Sequence, residues 1–131
     1  MKDSNPGPPS HGFTLIELIV VTVIIGVLVT IAIVRFTSTK EKALDAAAQS
    51  DLRNAMSIEE AFFADSSYYV TFSVIEGAGV TSPVEFHASP GVTVSMTGGA
   101  GGYAGTARHS GSGNTWCVDS SNGVIVEAST C

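Results

Sequence analysis

The stretch FTLIELIVVTVIIGVLVTIAIV, from Phe13 to Val34, decides how the rest of the chain is read. Across these 22 positions Glu17 is the single charged residue. At a rise of roughly 1.5 Å per residue, such a helix is about 33 Å long, which matches a bilayer hydrocarbon core of roughly 30 Å. A secretory signal peptide has an apolar region of only about 7 to 15 residues, with a small-residue cleavage site just behind it. Here Arg35 and Phe36 follow the run, and Ala46-Ala47-Ala48 lies too far along to serve. The run therefore reads as a membrane-spanning helix.

Outward from this segment, 131 residues leave room for one small domain. With 44% hydrophobic and 14% charged residues, global disorder is excluded. Six basic residues against 12 acidic ones give a net charge of −6, which excludes bulk nucleic-acid binding.

Two residues inside the run stand out. A carboxylate at the bilayer centre costs about 2.5 to 3.5 kcal/mol, and less near an end, so Glu17 either reaches the interface, takes up a proton or finds a partner. Gly26 interrupts the helix, with Thr22 and Thr30 four residues to either side. It reads as ordinary small-residue tolerance, or as a point of close helix packing or local melting.

The residues around Glu17 sharpen the reading. A polar leader, MKDSNPGPPSHG, ends at Gly12 and is followed without a break by Phe13-Thr14-Leu15-Ile16-Glu17. Together, G-F-T-L-I-E heading an apolar span resembles the type IV prepilin family. The resemblance covers residues 1 to about 65 in motif and pattern. It implies cleavage between Gly12 and Phe13 by a prepilin peptidase, which also N-methylates the new Phe13 amine. Gly12 has no side chain at the scissile bond, and Pro6, Pro8 and Pro9 keep the leader extended. The new amine, ordinarily titrating near ~8, is a natural counter-ion for Glu17, and the family implies that Phe13 and Glu17 set subunit register in a filament. Many relatives have a proline where this chain has Val34. The implied partners are further copies of the chain, the peptidase, an inner-membrane platform protein and an assembly ATPase. The implied location is first the inner membrane, as a single-pass precursor, and then the cell surface. Arg35, Lys40 and Lys42 fall on the extracytoplasmic side of that topology, against the positive-inside tendency.

After the span, residues 35–66 contain no Pro or Gly, and Leu44, Ala48, Leu52, Ala55, Met56 and Phe62 form one apolar stripe. The helix should end near Asp65 to Ser67, with Glu59 and Glu60 on its solvated side. From residue 67 on the period changes. YYVTFSV, VEFH, VTVSM, YAGTARH, TWCV and GVIVEA read as short strands, about four of them in an antiparallel meander. GGAGGYAG, Gly98 to Gly105, reads as a hairpin turn, and DSSNG, Asp119 to Gly123, as another. The expected fold is α+β. It has a leader over 1–12, a transmembrane helix over 13–34, an amphipathic helix over 35–66 and a sheet head over 67–131, as in a pilin.

Cys117 and Cys131 form an even pair in the extracytoplasmic part, read as a disulfide closing a loop of about 15 residues. It resembles the C-terminal loop of type IV pilins. His87, His109 and Asp119 lack a metal-binding spacing, and no cofactor is expected. Ser110 and His109 are adjacent without an orienting third group, and no catalytic motif occurs, so the chain does not read as an enzyme. Two other readings stay open: a pseudopilin of a type II secretion or competence system, and a single-span anchored ectodomain that keeps its leader.

Overall fold

The structure is a computed structural model, described for residues 12–81 and 83–128. The chain divides into two compact units, Met1–Thr37 and Ser38–Cys131. A single α-helix, α1, runs from Leu15 to Ser66 and contributes residues to both. It ends where expected. Ser67 adopts a left-handed φ of 62°, and its N–H donates to the Phe63 carbonyl at 2.8 Å.

Among the described residues of the second unit, seven strands follow: β1 (Phe72–Val74), β2 (Gly79–Val80), β3 (Phe86–His87), β4 (Val92–Gly99), β5 (Gly102–His109), β6 (Trp116–Asp119) and β7 (Val126–Glu127). Five of them form one antiparallel sheet in the order β1-β4-β5-β6-β7, and β2 pairs with β3 separately. The sheet thus has five strands rather than four, and it is not a plain meander. The excursion through β2 and β3 separates β1 from its partner β4, while two residues of β7 add an edge to β6. The β4–β5 hairpin turns through Ala100 and Gly101, in register from Val92 opposite His109 to Gly99 opposite Gly102.

Alternation along β4 puts Val92, Val94 and Met96 inward, all fully buried. They join Ala48, Leu52 and Ala55 of α1, Phe72 and Val74 of β1, Tyr103 and Ala107 of β5 and Val118 of β6 in one core. The stripe read from the sequence is therefore the buried face of the helix, with Met56 and Phe62 at its margin. Gly105 makes the close contact possible. A Cβ there would lie 2.3 Å from Met96 Sδ and 3.2 Å from Leu52 Cδ1, so the strand needs a residue without a side chain where the helix presses on it.

Candidate functional site

Gly12 and Phe13 precede the first helical turn, and both are exposed, Phe13 to 90%. A Cβ on Gly12 would meet nothing within 4 Å. Thr14 is the N-cap. Its hydroxyl oxygen accepts the Glu17 N–H at 3.3 Å, and its own N–H donates to Glu17 Oε2 at 2.9 Å. The Thr14 hydroxyl also donates to Oε2 at 2.9 Å. This reciprocal arrangement is a capping box, T-x-x-E, which satisfies two of the donors a helix start leaves open. Glu17 therefore has a partner within its own chain. The threonine three positions earlier was the sequence signal for it.

From Leu15 to Val34 the large apolar side chains are exposed, typically by half or more. The helix is long and apolar enough to cross a membrane. Its threonines place no hydrogen-bond demand on the surroundings: Thr22 Oγ1 donates to the Ile19 carbonyl at 2.9 Å, and Thr30 Oγ1 to the Val27 carbonyl at 2.7 Å. A Cβ at Gly26 would meet nothing within 4 Å, so nothing else in the chain requires glycine there.

Farther along α1, three acidic side chains point into the head. Glu59 corrects the sequence reading: it is 0% exposed, while Glu60 is on the surface as expected. Glu59 Oε2 accepts the Val70 N–H at 2.9 Å, and its Oε1 is buried without a partner. Desolvation raises the Glu59 carboxyl above its usual range, against the bond from Val70 and with the charge of Glu60 adding to the rise. Asp51 accepts from Ser89, from its N–H at 2.6 Å and its hydroxyl at 3.0 Å. Asp45 accepts from the Ser112 hydroxyl and from Asn114 Nδ2, the latter at 2.8 Å. Burial pushes the Asp45 carboxyl up, but the bonds from Ser112 and Asn114, with help from Trp116 and His109, outweigh it and hold it below the usual range. The Trp116 indole N–H contributes its dipole without a hydrogen bond of ordinary geometry, since Nε1 is otherwise unpartnered. Each carboxylate thus secures a different loop of the head to one helix.

Cys117 is 3% exposed on β6 and is disulfide-bonded. Cys131 lies outside the described residues, as does the leader up to residue 11. DSSNG forms a turn as read: Asp119 Oδ1 accepts the Ser121 N–H at 2.7 Å, and the Asp119 carbonyl accepts the Gly123 N–H at 2.9 Å. His87, His109 and Asp119 do not converge, and among the described residues no group of three potential ligands could hold a metal ion.

Residues 8–33 match the family described as the prokaryotic N-terminal methylation motif. Over 73 residues the chain is 34% identical to the type IV major pilin protein PilA of Myxococcus xanthus (strain DK1622). The match covers 56% of this chain and about a third, 33%, of that protein's length. A methylation motif at the head of the apolar helix, a partial match to a type IV major pilin and a long helix packed on an antiparallel sheet are what this chain has in common with type IV pilins.

Proposed function

We propose that the chain is the structural subunit of a type IV pilus filament and not a catalyst. The observation that carries this reading is the G-F-T-L-I-E motif set at the start of a helix whose first 20 or so residues (Leu15 to Val34) expose apolar side chains on every side. Such a surface is stable only in lipid or against other apolar helices, and a filament core supplies the second. Prepilin peptidase cuts between Gly12 and Phe13 and methylates the Phe13 amine. The amine then pairs with Glu17 of a neighbouring copy, and a subunit out of register leaves a charge unpaired. Gly26 is a point of close approach between helices. In the head, Cys117 pairs with Cys131 and ties down the C-terminal loop. A platform protein and an assembly ATPase move the subunit from the inner membrane to the cell surface, where the filament serves twitching, adhesion or DNA uptake.

The test is the mass of the protein from native membranes and from sheared surface material. A chain beginning at N-methylated Phe13 in the sheared fraction is the expected result. The same processed chain confined to membranes makes it a pseudopilin or a minor subunit, and an intact leader in the membrane form overturns all of these.

A further inference from the structure

The turn Asp119–Gly123 is not absorbed by the filament reading, and it contains the dipeptide Asn122-Gly123. We propose that Asn122 is a self-modifying site, converted by its own backbone through a cyclic imide to aspartate and isoaspartate.

The chemistry needs a nucleophilic nitrogen, an activated amide carbon and access for water. Gly123 supplies the nitrogen. It has no Cβ and a φ of 64°, so no side chain on the attacking residue crowds its nitrogen as it approaches Asn122 Cγ. The Val124 N–H donates to Asn122 Oδ1 at 2.9 Å. That bond folds the side chain back over the following peptide, draws electron density from Cγ and stabilises negative charge on Oδ1 during attack. Both residues are exposed, so water and base reach them.

In the reaction, solvent base removes the Gly123 amide proton, and the nitrogen bonds to Asn122 Cγ. The Cγ–Nδ2 bond breaks, and Nδ2 leaves as ammonia after taking up a proton. Water then adds to either carbonyl of the imide and opens it, giving aspartate or, with the backbone rerouted through Cγ, isoaspartate. No electrons change hands. The Gly123 N–H also donates to the Asp119 carbonyl at 2.9 Å, so the rate is set by how often that bond opens.

Of the three other asparagines, Asn5 precedes a proline, which has no N–H to attack, and two provide internal comparison. Asn114 is followed by Thr115, and its Nδ2 is held by Asp45 at 2.8 Å. Asn54 is within α1 and is followed by Ala55, in a backbone conformation that keeps its Cγ from the next nitrogen. The site is therefore selective. Each event adds one negative charge beside Asp119 and takes the chain from its formal −6 to −7.

The experiment incubates the full chain in detergent micelles at mildly alkaline pH in isotopically labelled water, and follows the peptides by mass and by isoaspartate content. Expected are label uptake and the exchange of an amide NH2 for OH at Asn122, with Asn54 and Asn114 unchanged. Gly123→Ala should slow the reaction by about tenfold or more, because a Cβ crowds the attacking nitrogen. Asn122→Gln, which lengthens the side chain, should abolish it. The proposal fails if Asn122 stays intact, if Asn54 or Asn114 reacts as fast, or if Gly123→Ala reacts at the wild-type rate. Retention of the wild-type melting temperature by Asn122→Gln excludes loop unfolding as the cause of its inertness.

Discussion

Thr14 and Glu17 hold each other at the start of the long helix, hydroxyl to amide in one direction and carboxylate to amide in the other. Removing an N-cap side chain costs about 1 kcal/mol, or roughly a fivefold change in opening of the first turn. Thr14→Val, which keeps the shape without the hydroxyl, should therefore speed amide exchange at Glu17 and Leu18 by about that factor in micelles. Thr14→Ser should leave it near wild type.

A buried, half-satisfied carboxylate gives the head a pH signature. Glu59 is raised in the folded state, so its contribution to stability is fully present below the ordinary Glu pKa and is lost as pH rises through the raised value. Urea midpoints should thus increase on mild acidification from neutral pH, until other carboxylates protonate. In Glu59→Gln that rise should disappear.

Asp45 runs the other way. Its lowered carboxyl contributes stability above the ordinary Asp pKa, and this is lost as pH falls through the folded value. Asp45→Ala should flatten the acid limb of the urea profile and loosen the Ser112–Asn114 loop, read as faster amide exchange there.

Asp51 is the anchor for Ser89. In Asp51→Ala the Ser89 N–H and hydroxyl lose their acceptor, at a cost of about 1 to 3 kcal/mol if the loop stays closed. Calorimetric melting of the full chain checks this.

Gly98 and Gly99 make a matched pair. A Cβ at Gly98 would sit 2.5 to 2.6 Å from backbone atoms of Tyr69 and Val70, whereas one at Gly99 would meet nothing within 4 Å. Gly98→Ala should destabilise by about 1 to 3 kcal/mol, as overpacking does. Gly99→Ala should shift the melting midpoint far less.

The helix, its end near Ser66 and the apolar stripe are legible in the sequence because each depends on neighbours three and four residues away. The same holds for the DSSNG turn and for the presence of the glycine-rich hairpin, though its turn is only Ala100 and Gly101, with Gly98 and Gly99 in β4 and Gly102 to Gly105 in β5. The burial of Glu59 is not legible, because Val70 closes over it only after the chain has turned at Ser67. Asp45 and Asp51 likewise meet partners 38 to 69 positions away, and no local pattern signals them. VEFH and GVIVEA contain β3 and β7, so those strands are legible, while β2, two residues long, is not; the sheet is undercounted because which runs pair with one another is settled by residues far apart in the chain. The capping box is the opposite case. Its T-x-x-E spacing is local and readable, but attention to Glu17 as a charge in an apolar run passes over the threonine.

Thr22 and Thr30 turn their hydroxyl protons onto their own helix, and Thr14 and Glu17 close its first turn. The apolar segment is in this sense indifferent to its solvent. Moving it from lipid chains to a bundle of like helices breaks neither threonine bond, so side-chain packing and the Phe13–Glu17 pairing proposed above are left to decide the exchange. In the filament reading proposed above, a subunit built this way passes between membrane and filament without first breaking the bonds of Thr22 and Thr30.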